Sequence, residues 1–477
     1  MAVIGAGWAG CAAAVEATMR GHRVHLFEAA RQLGGRARSL RREAFDPAAV
    51  TDQSDPADPM DPRDAASPAN RSDAQWESAL DNGQHILLGA YTQSLRLMRA
   101  VGVDIEKSLL RLPLQMRYPA GSGGMDLVSR PLPAPLHLLA ALWQAKGLAR
   151  ADKMALVRFT SLCRWIDWRL NDDCSVSDLL ARFDQTERVV ALLWRPLCLA
   201  ALNTPPERAS AQVFLNVLRD SLGARRRSSD MLVPRCDLSA LFPVPAARFL
   251  VQAGGYLHAA TRVQGLIRAG ERWSIACAGG SLADGASDTS HASNALPLFD
   301  AVILATPHTE SERLLAGLVL PDAVLDFSYE PITTCYLRYA PEIALALPLY
   351  ALLDDPAQGL WGQFVFDRGQ LDAAQRGTLA VVISAASEAI MPGRDALGAA
   401  IVEQLASAFA NPAFRQPLQV KIITEKRATF SCLPALVRPS AATGVAGLVR
   451  AGDHVAGDYP ATLEGAVRSG IAAVDLL

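Results

Sequence analysis

The stretch Ala2-Val-Ile-Gly5-Ala-Gly7-Trp-Ala-Gly10 decides the fold of this chain. A short apolar strand runs directly into Gly5-x-Gly7-x-x-Gly10, and an alanine-rich helix is predicted over 11–20. In this pattern the first glycine permits a tight turn, the second lets the backbone approach a pyrophosphate, and the third lets helix and strand pack closely. The N-terminus of the helix directs N–H groups and a positive dipole at the phosphates. The stretch therefore predicts a Rossmann-like dinucleotide site, to which Trp8 and Ala9 also belong.

A second predicted strand, 23–27, ends at Glu28. A carboxylate at this distance can accept hydrogen bonds from ribose hydroxyls, which favours FAD or NAD over NADP. A glycine-rich turn that opens an ordinary α/β unit is the simpler alternative. It is disfavoured because the strand, the glycines, the helix and the acid all agree.

The next glycines distinguish the two cofactors. Gly34-Gly35-Arg36 gives a second close backbone approach with a cationic group suited to phosphate. Here the chain resembles the flavoprotein superfamily of amine oxidases and carotenoid desaturases, whose opening motif has this glycine pair and arginine. The resemblance implies FAD as the cofactor.

Composition limits the other possibilities. The chain has 477 residues, 50% of them hydrophobic, and a formal net charge of −2. This length favours two domains, and the charge gives no support for nucleic-acid binding. The eight cysteines form no CxxC pair, so neither a structural zinc nor any other metal site is predicted, and a reducing cytosol is compatible with them. We expect no secretory signal and no membrane span, and hence a cytoplasmic protein.

Alternation of strand-like and helix-like stretches predicts an α/β fold, with a Rossmann-like FAD-binding domain and an interleaved α+β substrate-binding domain. The predicted FAD-binding domain comprises 1–110, 226–310 and 431–477, and the substrate-binding domain comprises 111–225 and 311–430. Segments 46–75 and 279–296, rich in small and polar residues, are predicted to be flexible insertions.

Residues 131–150 form the apolar stretch that is most suggestive of a membrane contact. A proline-rich entry leads to an apolar segment that contains Trp143, with Lys146 and Arg150 towards its end. This composition suits a helix that lies in a lipid interface on the inner face of the membrane, and it suits a core helix of the second domain equally well.

The C-terminal block runs from Gly452-Asp453 through Tyr459-Pro-Ala-Thr462-Leu463 to Ala466 and Gly470. A strand ends at Gly452-Asp453, where the backbone can meet a pyrophosphate or ribityl chain. The small-residue helix that follows can direct its N-terminus at a flavin ring. The sequence thus predicts that both ends of the chain contribute to one FAD site.

Further blocks narrow the resemblance. The block Asp81-Asn-Gly83-Gln84-His85 and the C-terminal block resemble those of plant- and cyanobacterial-type phytoene desaturases. The block that begins at Arg195-Pro-Leu-Cys and the block Trp361-Gly-Gln-Phe-Val-Phe-Asp367-Arg368 resemble the squalene-associated FAD-dependent desaturases, understood as hydroxysqualene dehydroxylases. The resemblance covers nearly the whole chain apart from the two insertions, although Phe364 stands where a tryptophan is expected.

This resemblance implies a reduction in which hydroxysqualene, a lipophilic C30 isoprenoid, loses its hydroxyl and gains a hydride to give squalene. It extends the cofactor site to Gly83, Gln84, Val263, Thr462, Leu463 and Ala466. No second glycine motif is present, so the electron donor is left open.

The proton donor to the departing oxygen is not fixed by the sequence. His85 is one candidate, and a histidine that bonds only the backbone is the alternative. Asp367 is the other candidate, with a salt bridge to Arg368 as its alternative use. Tyr329, Trp361, Phe364 and Phe366 are expected either to line an apolar tunnel or to belong to the core.

Three other functions remain open from sequence. A carotenoid-type desaturase would use the same scaffold in the oxidative direction. An amine oxidase is disfavoured because Tyr459 leads into Pro460, as in desaturases. A binding protein similar to the Rab GDP-dissociation inhibitors is disfavoured by the intact Glu28, Gly34-Gly35-Arg36 and Gly452-Asp453.

Overall fold

The computed structural model describes residues 1–40, 76, 80–133, 136–223, 226–277, 296–318 and 327–477. The predicted insertion 46–75 lies outside these residues, as does all of 279–296 except Leu296.

The described strands, in chain order, are β1 (Ala2–Ile4), β2 (His25–Phe27), β3 (Leu87–Leu88), β4 (Leu109–Leu112), β5 (Gln115–Arg117), β6 (Asp126–Val128), β7 (Met231–Pro234), β8 (Tyr256–His258), β9 (Val263–Ala269), β10 (Arg272–Cys277), β11 (Val302–Leu304), β12 (Tyr329–Arg338), β13 (Leu349–Ala351), β14 (Phe364–Asp367), β15 (Thr378–Ile383), β16 (Gln419–Phe430) and β17 (Leu448–Arg450).

The described α-helices are α1 (Trp8–Met19), α2 (Thr92–Ala100), α3 (Ile105–Ser108), α4 (Leu136–Gln144), α5 (Arg150–Trp165), α6 (Val176–Arg182), α7 (Glu187–Val189), α8 (Arg195–Leu202), α9 (Ala211–Leu218), α10 (Leu238–Leu241), α11 (Pro243–Gln252), α12 (His308–Leu315), α13 (Arg394–Ala408) and α14 (Leu463–Asp475).

A parallel sheet in the order β17-β11-β1-β2-β8 confirms the predicted Rossmann-like core. Val3 at its centre pairs with Ile303 on one side and Leu26 on the other. All three residues of β1 are buried, because helices and other elements cover both faces of a parallel sheet. The sheet joins strands from the first 30 residues to β17 near the C-terminus.

Helix α1 begins earlier than the predicted Cys11. It starts at Trp8 because the glycine motif itself forms the first turn, with Gly7 as the N-cap. The N–H groups in the first turn of a helix have no acceptors within that helix, so glycines are tolerated there. Helix α14 packs directly on α1: a Cβ on Gly470 would lie 2.3 Å from the carbonyl oxygen of Ala9.

An antiparallel sheet in the order β13-β14-β15-β12-β16 forms the second large element. One face packs against α13, whose Leu397, Ile401 and Leu405 are buried there. The other face carries Tyr336 and Phe366 and meets a second apolar core. The sheet with an added helix that the sequence predicts over 325–430 is therefore present over the described residues 329–430.

Residues 111–225 contain the expected helices, α4 to α9, but also the short hairpin of β5 and β6. The sequence did not reveal this hairpin because each strand spans three residues and includes charged ones, Arg117 and Asp126. These form an ion pair across it, with Nε 2.8 Å from Oδ1. The division of the chain into the two interleaved domains stays a prediction.

Candidate functional site

The glycine motif between β1 and α1 does two different tasks. Gly5 has φ +100°, and a Cβ there would lie 2.5 Å from the carbonyl oxygen of Ala305. A Cβ on Gly10 would lie 1.8 Å from the carbonyl oxygen of Gly5. Gly5 and Gly10 are thus required by packing. A Cβ on Gly7 would meet only the Cα of Gly35, at 3.9 Å, so the space over Gly7 is open to a ligand.

The second glycine loop lies against the first. The N–H of Gly34 donates to the carbonyl oxygen of Ala6 at 2.8 Å, and Gly35 has φ +60°. Gly7 therefore faces Gly35 where the loops touch, and among the described residues only backbone atoms lie within 4 Å of a Cβ on either. The two loops form a cradle lined by backbone, which is the shape that a pyrophosphate requires.

Glu28 is held at the end of β2 by the same loop. Its Oε2 accepts from the N–H of Ala6 at 2.8 Å and its Oε1 accepts from the N–H of Ala30 at 2.9 Å. Each carboxylate oxygen keeps a further lone pair. The half-buried carboxylate is fixed beside the cradle, where it can accept from ribose hydroxyls.

Arg36 connects the cradle to the C-terminal block. Its Nη2 lies 2.5 Å from Oδ1 of Asp453, and its Nη1 donates to the carbonyl oxygen of Ala428. Burial alone would raise the pKa of Asp453. The charge of Arg36 and the hydrogen bond with His454 outweigh it, so this pKa lies far below its usual range. Asp453 is therefore an anion whose charge is used to hold Arg36.

The remaining predicted residues of the C-terminal block lie at the start of α14. Thr462 caps this helix, its Oγ1 accepting from the N–H of Gly465 at 3.0 Å. Leu463 is half-buried and Ala466 is buried in the core that also contains α1. Helices α1 and α14 thus form one packed pair that brings the two ends of the chain together, and the FAD site built from both ends stays a prediction.

Glu464 makes a buried contact that sequence reasoning missed. Its carboxylate is buried and accepts from the N–H groups of Gln93 and Ser94 and from the hydroxyl of Ser94. These N–H groups belong to the first turn of α2, so Glu464 joins that helix N-terminus to the C-terminal block. An acid in the first turn of a predicted helix was the available signal.

The block Asp81–Tyr91 enters the site from the side of the antiparallel sheet. Gln84 bridges two buried side chains: its Nε2 donates to the hydroxyl of Tyr336 and its Oε1 accepts from Nη1 of Arg368. Gly83 lies beside Thr334 of β12. A Cβ on Gly83 would be 3.9 Å from the hydroxyl oxygen of Thr334.

His85 is half-buried next to this bridge. Its Nδ1 lies 3.2 Å from the carbonyl oxygen of Gly83. Since that oxygen can only accept, the neutral ring carries its proton on Nδ1, and Nε2 is the other ring nitrogen. Burial lowers the pKa of His85, and the hydrogen bond to Gly83 opposes this only in part. The ring is therefore neutral near pH 7, and its protonated form is an acid stronger than ordinary imidazolium.

Asp367 and Arg368 do not form the expected salt bridge. The carboxylate of Asp367 accepts from the N–H groups of Leu345 and Gly369 and from Nε2 of Gln370. Arg368, only 1% exposed, donates instead to Gln84 and Gln375, and its Nη2 has no partner in the part of the chain that the structure describes. Asp367 is the last residue of β14, whereas Arg368 begins the short 3₁₀ helix Arg368–Gln370, so the two neighbours belong to different elements and separate.

Val263, predicted to touch the cofactor, opens β9 and is buried. Its carbonyl oxygen accepts from Nη2 of Arg313 at 3.0 Å. Its side chain belongs to the apolar cluster that also contains Phe27 and residues of β1 and β11, so Val263 lies in the core of the parallel sheet.

The four expected aromatic residues do not form one wall. Phe364 and Phe366 are buried in the core between the antiparallel sheet and β7. Trp361 packs on the opposite side of that sheet, and Tyr329 packs on the helical core under the cation of Arg427. Of the four, only the two phenylalanines share a core with Tyr336, the residue bonded to Gln84.

Comparison with known proteins gives the family. The model for flavin-containing amine oxidoreductases matches residues 8–477. The chain belongs to the flavin-containing amine oxidoreductases. It is accordingly an FAD-dependent oxidoreductase, and the glycine cradle, the two helix N-termini and Glu28 fit this cofactor.

Two relatives extend over the full length of this family member. Hydroxysqualene dehydroxylase of Rhodopseudomonas palustris is 29% identical, with 100% of this chain and 97% of that protein covered. Hydroxysqualene dehydroxylase of Sinorhizobium fredii is 28% identical, with 99% and 97% covered. An oxidoreductase from Methanosarcina mazei shares the fold, with a TM-score of 0.66, 14% identity and 99% of each chain covered.

Proposed function

We propose that this flavoenzyme reductively removes the hydroxyl of hydroxysqualene to give squalene. The observation that carries the proposal is the full-length similarity to two hydroxysqualene dehydroxylases, each covered to 97%. The site agrees with a lipophilic substrate, because Gln84 and His85 adjoin an apolar core that includes Phe364 and Phe366.

The reaction exchanges a C–O bond for a C–H bond. When bound, reduced FAD supplies the hydride. The hydroxyl leaves as water and therefore needs one proton from the protein. The protein must also keep bulk water from the carbocation that forms as the C–O bond breaks. The apolar surroundings of the site serve that purpose.

We propose that His85 delivers this proton from Nε2. The bond between Nδ1 and Gly83 fixes the ring, so the Nε2–H of the protonated form is free to donate to the departing oxygen. The lowered pKa of His85 makes that donation easier and makes the protonated form rarer at neutral pH. Turnover should therefore increase as the pH falls towards the pKa of His85.

We propose a structural role for Asp367 and a positioning role for Arg368. The carboxylate of Asp367 accepts from the N–H of Gly369 in the turn after β14, and it ties this turn to Leu345 before β13. Arg368 holds the amide of Gln84, the residue before His85, in one orientation. Among the described residues Arg368 has amide partners and no carboxylate partner. Burial of such a guanidinium costs stability, and this cost is expected where a function requires the residue.

The cofactor contacts are proposed as predicted. They are Gly5, Gly7, Trp8, Ala9, Gly10, Glu28, Gly34, Gly35, Arg36, Gly83, Gln84, Val263, Gly452, Asp453, Thr462, Leu463 and Ala466. For Trp8 the contact would be through the backbone, since its side chain is buried and its Nε1 donates to the carbonyl oxygen of Ala37. The division into two discontinuous domains is proposed with the same boundaries.

We also propose that the substrate reaches the site from a lipid surface, with peripheral contact through residues 131–150. A C30 hydrocarbon partitions into bilayers. Helix α4 of this segment buries Ala141 and exposes Leu136, Leu139 and Trp143, so it has both a core face and an apolar outer face. Among the described helices, none combines the length and apolar character needed to cross a bilayer.

Incubation of the dithionite-reduced enzyme with hydroxysqualene, without oxygen, tests the reaction. We expect squalene, detected by mass spectrometry, and none from protein stripped of flavin. If the reduced enzyme gives no squalene, the proposal is wrong. If the oxidised enzyme instead introduces double bonds into a polyprenyl chain, the alternative desaturase function is correct.

A further inference from the structure

The next helix, α5, also exposes large apolar side chains. In α5, Leu156, Phe159 and Cys163 are buried, whereas Met154 and Trp165 are 58% and 84% exposed. Met154, Arg158, Ser161 and Trp165 are spaced by three or four residues and share one face of the helix. Leu162, beside them, is 37% exposed.

A hydrogen bond joins the end of α4 to the start of α5. Nζ of Lys153, in the first turn of α5, donates to the carbonyl oxygen of Trp143 at 2.8 Å. The indole of Trp143 is 83% exposed, so its side chain takes no part in this contact. Two tryptophans more than four-fifths exposed therefore lie on adjacent helices, which is unusual for side chains of such apolar area.

The charges around these tryptophans are mostly positive. Between residues 143 and 169 the exposed cations are Lys146, Arg150, Arg158, Arg164 and Arg169, and the one exposed acid is Asp167. The other acid of this stretch, Asp152, is buried and accepts from the N–H of Ala149 and the hydroxyl of Thr186. The exposed charges of this stretch are thus mainly positive on a chain with a net charge of −2.

We propose that α4 and α5 together form a docking surface for anionic phospholipid bilayers. The occupant follows from the pairing of exposed indoles with arginines and lysine. Indole rings partition to the boundary between headgroups and acyl chains, and cations beside them attract anionic headgroups. This proposal extends the lipid contact proposed above for residues 131–150. It adds α5 to the contact and specifies that the lipids are anionic. It does not depend on any step of the proposed reaction.

Vesicle sedimentation of the flavin-loaded enzyme tests the surface. We expect binding to vesicles of phosphatidylcholine mixed with phosphatidylglycerol, weaker binding to pure phosphatidylcholine, and loss of binding at high salt. The double variant Trp143→Ser, Trp165→Ser should lose binding while keeping its flavin spectrum. Since the bond from Lys153 reaches the backbone of residue 143, the contact between the helices is retained in this variant.

Matched controls lie on another surface. Met391 is 82% exposed, and Met391→Ser should leave vesicle binding unchanged. Arg150→Gln and Arg164→Gln should each weaken binding about fivefold, whereas Arg394→Gln, at another exposed arginine, should not. Failure of the wild type to bind either vesicle, or equal binding by the tryptophan double variant, overturns the proposal. Equal binding to both lipids overturns the selection for anionic headgroups.

These outcomes are independent of the reaction. Squalene formation from hydroxysqualene dissolved in detergent reports the proposed function without a bilayer. An enzyme that makes squalene in detergent but ignores vesicles disproves the docking surface alone. One that binds anionic vesicles through Trp143 and Trp165 but makes no squalene disproves the proposed reaction alone.

Discussion

Arg36 and Asp453 are 417 positions apart in the chain, yet Nη2 of one lies 2.5 Å from Oδ1 of the other. The pair joins the second glycine loop to the end of β17, so it fixes the two extremities of the chain around one cradle. Asp453 is buried, whereas the side chain of Arg36 is 38% exposed. Removing the arginine therefore leaves a buried anion without its cation.

Arg36→Met should lower the free energy of unfolding by about 1–3 kcal/mol, less than for a fully buried pair because Arg36 is partly exposed. Chemical denaturation and flavin release measure this, with Arg31→Met, at an exposed position of the same loop, as the control.

Because the folded pKa of Asp453 is lowered, its stabilisation is present above the unfolded pKa of about 3.9 and is lost as the pH falls below it. If Arg36→Met is as stable as the wild type at pH 7, the ion pair between Arg36 and Asp453 does not stabilise the fold.

Gly7→Ala and Gly10→Ala should fail in different ways. Gly7 has φ −73°, which alanine adopts easily, and its Cβ would meet only Gly35 at 3.9 Å. This variant should fold and bind FAD at least about tenfold more weakly, since the methyl group enters the space of the phosphates. A Cβ on Gly10 would overlap the carbonyl oxygen of Gly5, so that variant should not fold stably. Circular dichroism and flavin titration separate the two outcomes; normal flavin affinity in Gly7→Ala would exclude a ligand at that place.

His85→Gln should change the pH dependence of turnover. In the wild type the protonated ring is the active form, so kcat should decline as the pH rises through a pKa below 6.5, the value of free imidazole. Glutamine keeps a polar side chain but cannot exchange a proton, so kcat should fall about 100-fold and this limb should disappear. His22→Gln, at an exposed position, is the control. An unchanged pH profile in His85→Gln would assign the proton to another group.

Arg368→Met and Asp367→Asn should separate function from folding. Replacing the buried guanidinium by an apolar chain of similar length should cost little stability, and kcat should drop about 10- to 100-fold because Gln84 loses its fixed orientation. Asp367→Asn weakens a carboxylate that accepts three hydrogen bonds and should cost about 1–3 kcal/mol of stability with kcat retained. Kinetics and thermal unfolding of both variants check this, and a reversed pattern would make Asp367 the catalytic residue.

The sequence by itself determined the parts of the site that depend on local geometry. Gly5-x-Gly7-x-x-Gly10 specifies a strand, a tight turn and a helix start through constraints that neighbouring residues impose on the backbone. The glycine pair Gly34-Gly35 is readable for the same reason. Family resemblance then supplied the cofactor, and the family match confirmed it.

The tertiary structure decided which distant side chains meet. Nothing local indicates that Arg36 pairs with Asp453, that Glu464 reaches Ser94, or that Arg368 turns to Gln84 rather than to its neighbour Asp367. These contacts depend on how sheets and helices from separate parts of the chain pack. The exposure of Trp143 and Trp165 likewise depends on packing, because a helix with apolar residues on several sides has no outer face until its neighbours are placed.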